Sequence, residues 1–158
     1  MYEFKQLKEE NFKVFHDFMS DYYKDGEDSD TPQDEIDMFI KKLFSLIQEK
    51  IMYGVSAYLN DIFIGVVIWM KDTKEHEFSV IPEYGTIAEI GVIQSMRNRG
   101  VGCVLVDYAE REIIKLNIDK VYVIAYEEAL SFWKKRGYKQ SVQLKSKGLP
   151  VLIKKLSN

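Results

Sequence analysis

One stretch, residues 87–116, restricts the fold more than any other. Residues 87–93 form an apolar run with strand character. The chain then passes through Arg97-Asn98-Arg99-Gly100-Val101-Gly102 into a segment with apolar residues at 101, 104, 105, 108, 109, 113 and 116. That spacing lines one face of a helix. Glycine at a strand-to-helix handover lets the backbone turn tightly and brings its N–H groups close to a ligand. The first turn of a helix carries unpaired N–H donors and a partial positive charge. The junction therefore suits a phosphate or pyrophosphate, with Arg97 and Arg99 adding charge beside it. It lacks the Gly-Lys-Ser/Thr ending of a nucleotide P-loop and is not Gly-x-Gly-x-x-Gly.

The flanking sequence predicts a mixed α/β layer fold. Residues 1–6 alternate and read as a first strand. Phe12, Phe15, Phe18, Met19 and Tyr22 have helical spacing behind Asn11 as a cap. Thr31-Pro32-Gln33-Asp34 reads as a second helix start, with Thr31 capping and Pro32 in the first position. Residues 51–59 and 62–70 form a hairpin around Asn60-Asp61. After the 101–116 helix, which Asn117 ends, come a strand at 121–126, a short helix at 128–136 stopped by Gly137, and strands at 138–144 and 151–156. The order is β-α-α-β-β-β-α-β-α-β-β, in one domain spanning residues 1–158, without repeats or linkers.

The 158 residues suit one core. The longest apolar run, 62–70, falls far short of the roughly 20 residues a membrane span needs, and the N-terminus has no apolar leader. The lone Cys103 forms no internal disulfide, which fits a reducing, cytoplasmic setting. No Cys/His cluster suggests a metal; His16 reads as a partly buried helix residue and His76 as a solvated one. No block is basic enough for a nucleic-acid surface. Residues 1–80 hold 17 acids and 9 bases, and residues 81–158 hold 8 acids and 13 bases. This is either solvated surface or a bipolar molecule that binds an anion with its second half and a cation with its first.

The loop matches Arg/Gln-x-x-Gly-x-Gly/Ala and so resembles the coenzyme A pyrophosphate loop of the GNAT superfamily of N-acetyltransferases. The strand Ile90-Gly91-Val92-Ile93 precedes it at the family's distance. Phe132-Trp133-Lys134-Lys135-Arg136-Gly137-Tyr138 looks like the family's late aromatic signature, and the hairpin ending in Ile62-Phe63-Ile64-Gly65 like its second and third strands. The resemblance implies a central mixed sheet of six to seven strands flanked by about four helices. It implies acetyl-coenzyme A as co-substrate and no metal. The acetyl group would pass to a primary amine by direct attack on the thioester. A homodimer stays open.

By the same likeness, backbone groups at Ile90, Val92 and Ile93 should pair with the pantetheine arm, and an N–H near Val92 should hold the developing oxyanion. Arg97, Asn98, Arg99, Gly100, Val101, Gly102 and Cys103 should hold the pyrophosphate. Two positions depart from the family. Trp133 stands where many members carry a Tyr general acid, and Tyr126 where many carry a cofactor-contacting Asn. The thiolate would then leave unassisted, or take its proton from Tyr126 or Tyr138; otherwise the chain is a non-catalytic acyl-coenzyme A sensor. A different acyl donor is a third reading.

Glu89 is the candidate base: an acid inside an apolar strand beside the expected thioester, whose pKa partial burial would raise. The alternative is an edge-facing or salt-bridged Glu. Cys103 reads as a small packing residue rather than a nucleophile. The family's first two helices wall the acceptor site. Here that region holds Asp21, Asp25, Glu27, Asp28, Asp30, Asp34, Glu35 and Asp37 against Lys24. It is either a solvated acidic loop or a means of steering a cationic amine (a small molecule or a peptide amine). Tyr22 and Tyr23 could stack on the cation.

Overall fold

The apolar run at 62–70 lies at the centre of the sheet. In the computed structural model, which describes residues 1–26 and 28–157, strand β3 (Ile62–Lys71) pairs antiparallel with β2 (Tyr53–Leu59) on one side and β4 (Gly85–Val92) on the other. Both of its faces are covered, so Val66, Val67, Ile68 and Met70 are all fully buried. A strand covered on both faces reads as a continuous apolar run instead of an alternating one.

The remaining elements are β1 (Tyr2–Gln6), α1 (Phe12–Lys24), α2 (Gln33–Gln48), α3 (Val101–Lys115), β5 (Lys120–Ile124), α4 (Leu130–Lys135), β6 (Lys139–Ser146) and β7 (Leu149–Lys155). The seven strands lie in the order β1-β2-β3-β4-β5-β7-β6. One core lies on the α3 face, where Leu105, Val106, Ala109 and Ile113 meet Val67 and Trp69. The other lies on the α1–α2 face, where Phe15, Met19, Ile40 and Phe44 meet Val66, Ile68 and Met70.

The element order is the one the sequence predicts, with shifted boundaries. Pro32 is itself the cap residue of α2, which starts at Gln33, so Thr31 does not cap it. Asn11 precedes α1 but spends its Oδ1 on the Lys8 N–H at 3.0 Å. Ile51 and Met52 are not in a strand; their N–H groups go to the Leu46 carbonyl at the end of α2. β5 stops at Ile124, so Tyr126 stands outside the strand and leads a 3-10 turn, Glu127–Ala129. Asn60 and Asp61 both take positive φ, as a two-residue hairpin turn demands.

The feature that positions the site is the parting of β4 from β5. These strands are parallel and paired only at Gly85↔Val121 and Thr86↔Tyr122. β5 then continues along β7. β4 carries an extra residue just past the parting: Ile68 opposes Glu89 and Trp69 opposes Ile87, leaving Ala88 without a partner. Such a bulge bends a strand and increases its twist.

Candidate functional site

The parting leaves backbone groups of β4 without a neighbouring strand. The Ile93 N–H donates to the Ile64 carbonyl at 3.0 Å, toward β3. Antiparallel alternation turns Val92 and Ile90 to the opposite edge, the one β5 leaves open. The Val92 carbonyl accepts from Arg97 Nε at 3.1 Å on that edge. Of the three residues expected to pair with an arm, Ile90 and Val92 present their backbone there. The Ile93 N–H and C=O are held by Ile64 and Met96.

Below the opening, Asn98 and Gly100 take positive φ, 61° and 83°, and Gly100 is the cap residue of α3. Val104 donates the first N–H inside the helix, to the Gly100 carbonyl at 3.2 Å, so the Val101, Gly102 and Cys103 N–H groups remain as first-turn donors. Beyond its chain neighbours, Gly100 has no atom within 4 Å of an added Cβ, whereas one at Gly102 would stand 3.3 Å from Phe132. Exposed Arg97, Asn98 and Arg99 flank the turn. Open approach, oriented donors and two cations fit a pyrophosphate-bearing donor.

On the α1–α2 face of the same strand lies a cleft of about 1280 Å³. Tyr22, Asp25, Asp28, Glu35 and Phe39 line one wall, Glu89 the floor, and Tyr122, Tyr126 and Glu128 the far side. α1 sits close on β4 because position 91 is glycine; a Cβ there would meet Phe18 at 2.9 Å and Tyr22 at 3.1 Å. Glu89 is half-buried, and its Oε1 accepts the Tyr23 hydroxyl at 2.9 Å. Burial holds its carboxyl up, to about 7 from an ordinary 4.5. The Tyr23 hydrogen bond pulls the other way and the Asp28 charge adds to the rise. Burial likewise pushes the Tyr22 phenol up, with Glu89, Tyr126 and Arg97 in its field.

The expected residues therefore divide into two groups. Glu89 and Tyr126 share the cleft, and the loop 97–103 lies at the other end of β4, with Arg97 reaching both. Of the acidic segment, Asp25, Asp28 and Glu35 face the cleft. Asp37 instead accepts from His16 Nε2 at 2.7 Å, a bond that joins α1 to α2 and raises the imidazole's pKa; hydrogen bonds from Gln33 and His16 lower the carboxyl's. Glu27 lies outside the described residues. Three expectations change. Tyr138 cannot replace the missing acid, because it is buried and donates to Glu110 Oε2 at 2.7 Å, beside Lys154 on the α3 face. Tyr23 is too enclosed to stack on a cation, its ring packed edge-on against Tyr22 and Phe39. His76 is not fully solvated but stacks on Phe78. Trp133 is buried edge-on against Tyr138. No cluster of three or more His, Cys, Asp or Glu suited to a metal occurs among the described residues, and none of their helices is long and apolar enough to cross a membrane.

A seven-stranded mixed sheet parted at β4, with a glycine turn leading into α3 behind it, is the architecture of the GNAT acetyltransferases. Known structures share it. The PaiA N-acetyltransferase of Thermoplasma acidophilum in complex with coenzyme A superposes with a TM-score of 0.74 at 15% identity, covering 98% of this chain and 99% of that one. A GCN5-related N-acetyltransferase from Ralstonia eutropha gives 0.75 at 18% identity over 92% and 97%. An aminoglycoside 6'-N-acetyltransferase complexed with coenzyme A gives 0.71 at 15% over 99% and 98%. No protein of curated function matches the chain significantly. The model of the acetyltransferase (GNAT) family matches residues 11–138, and the chain belongs to that family. Its enzymes use acetyl-coenzyme A.

Proposed function

We propose that the chain transfers an acetyl group from acetyl-coenzyme A to a primary amine of a cationic acceptor, a small molecule or a peptide, with Glu89 as general base. The observation that carries this reading is a carboxyl poised near pH 7 in a cleft whose lining sets Asp25, Asp28, Glu35, Glu77 and Glu128 against Arg97, Lys145 and Lys147, an acidic excess. A general base works best with a pKa near the operating pH, and an acidic cleft concentrates cations.

Acetyl-coenzyme A supplies an acetyl group activated as a thioester. The first turn of α3, with Arg97 and Arg99, would hold its pyrophosphate, and the exposed edge at Ile90 and Val92 its arm. Glu89 takes a proton from the arriving ammonium, directly or through water, which frees the nitrogen lone pair. The nitrogen attacks the thioester carbon and the carbonyl electron pair moves onto oxygen, where the Val92 N–H supports the charge. The tetrahedral intermediate then re-forms the carbonyl as the carbon–sulfur bond breaks. Tyr126, across the cleft, would return a proton to the departing sulfur, and the second nitrogen proton passes to solvent, which makes good the one Tyr126 gives up.

The test is thiol release from acetyl-coenzyme A over a panel of polyamines, aminoglycosides, amino acids and basic peptides, with neutral amines as controls. Cationic amines should lead the ranking. A preference for neutral or acidic acceptors would overturn the acceptor class. One observation favours a second reading, a non-catalytic acyl-coenzyme A sensor: the family's acid position holds buried Trp133. Acetyl-coenzyme A raising the melting temperature without thiol release from any amine would select it. The lone Cys103 supports a cytoplasmic setting.

A further inference from the structure

Tyr23, in the last turn of α1, occupies a position that acetyl transfer leaves unexplained. It is buried, its ring held edge-on by Tyr22 at 5.5 Å and by Phe39 at 5.4 Å. Its hydroxyl donates to Glu89 Oε1 at 2.9 Å, 66 positions along the chain. Burial and the nearby carboxylate keep the phenol protonated far above the physiological range, so it can only donate to Glu89. The Glu89 backbone is fixed by pairing with Ile68 beside the Ala88 bulge, but a glutamate side chain keeps several rotamers of its own. A buried, rigid donor selects one of them.

We propose that Tyr23 is a positioning residue for the transfer: by donating to Oε1 it fixes the Glu89 carboxylate and sets the pH above which the second oxygen takes the acceptor's proton. The inference rests on Glu89 being the base. Other charges and phenols line the same cleft: Tyr22 from α1, Asp25 and Asp28 after it, Glu35 from α2, Glu77 from the 72–84 loop, Arg97 beyond β4, Tyr122 on β5, Tyr126 and Glu128 beyond it, and Lys145 and Lys147 at the end of β6; of these, Asp28 adds to the burial-driven rise of the Glu89 carboxyl. Tyr23 donates a hydrogen bond to that carboxyl. A hydrogen bond to the charged form favours that form, so its loss drives the titration upward.

The experiment compares wild type, Tyr23→Phe and Tyr23→3,5-difluorotyrosine, a stronger donor of similar shape. Two readouts are taken: the carbon-13 carboxyl titration of Glu89, and the pH dependence of kcat/KM for the best amine. Tyr23→Phe keeps the ring packing. It should raise both the Glu89 midpoint and the acid limb by roughly one to two pH units, with KM for acetyl-coenzyme A unchanged. The fluorinated residue should lower both, and because it preserves the fold this arm stands even where the Phe variant unfolds. A Glu89 midpoint that stays put in both variants, while Glu89→Gln still abolishes the acid limb, overturns the positioning role alone. A midpoint that moves while the rate limb stays fixed overturns that role and the base assignment together.

Discussion

Glu89 shows the physical conflict at the heart of the site. Its carboxyl titrates near 7 in the folded chain and at an ordinary 4.5 when solvated. Between those values the unfolded chain has released the proton while the folded chain keeps it. Stability contributed by the neutral carboxyl is therefore complete below about 4.5 and is lost as pH rises through 7. Glu89→Gln should match wild type near pH 4 and be about 2 kcal/mol more stable at pH 8. Urea unfolding at the two pH values reads this directly, and an equal gap at both would contradict it. An acid inside an apolar strand was visible in the sequence. Its partner Tyr23 was not, because sequence periodicity reports which face a residue occupies and not what it meets 66 positions away. Trp133 could be seen as a departure from the family, whereas the diversion of Tyr138 to Glu110 depends on how α3 packs against β7.

The helices and strands were legible wherever local chemistry sets them. The 3.6-residue apolar period marks α1 and α3, and Asn60-Asp61 marks the β2–β3 hairpin. Ends set by tertiary contacts were not: the chain leaves β5 at Ile124 because pairing with β7 ends there. The parting of β4 and β5, which makes the site, is a non-local pairing choice with no local signature. The 72–84 connection shows another. Asp72, buried after β3, accepts the Val80 and Ile81 N–H groups and the Tyr122 hydroxyl on Oδ2 at 2.8–2.9 Å. It thereby pins the loop carrying Glu77 and Phe78 along the cleft. Asp72→Ala strands three donors, and unsatisfied buried groups cost about 1–3 kcal/mol each. The variant should lose on the order of 3 kcal/mol or more in chemical denaturation, and hydrogen exchange at Val80 and Ile81 should rise before that elsewhere in the sheet. Unchanged exchange there would remove Asp72 as the pin.

At the scale of the whole molecule, the charge division of the sequence is only partly a division of space, because Arg97, Lys145 and Lys147 of the basic half also line the cleft. The basic second half supplies Arg97 and Arg99 at the turn proposed to hold the donor, and the acidic first half supplies Asp25, Asp28 and Glu35 to the cleft proposed to take the acceptor. Which acids reach the cleft was not legible, since Asp37 on the same acidic stretch is spent on His16. Exposed charges act through solvent, and salt shortens their reach to about 8 Å at physiological ionic strength. KM for a polycationic amine should therefore climb several-fold between low and 0.5 M salt, while kcat holds. A salt-independent KM would assign the acidic wall to solubility alone. The proposed transfer turns on Glu89 acting where β4 parts from β5. Thiol release by wild type and Glu89→Gln, with the best cationic amine and saturating acetyl-coenzyme A, tests it most directly. General-base removal costs roughly 10²–10⁴-fold, so kcat should fall at least a hundredfold with the dissociation constant for acetyl-coenzyme A unchanged; turnover within a few-fold of wild type would contradict the account.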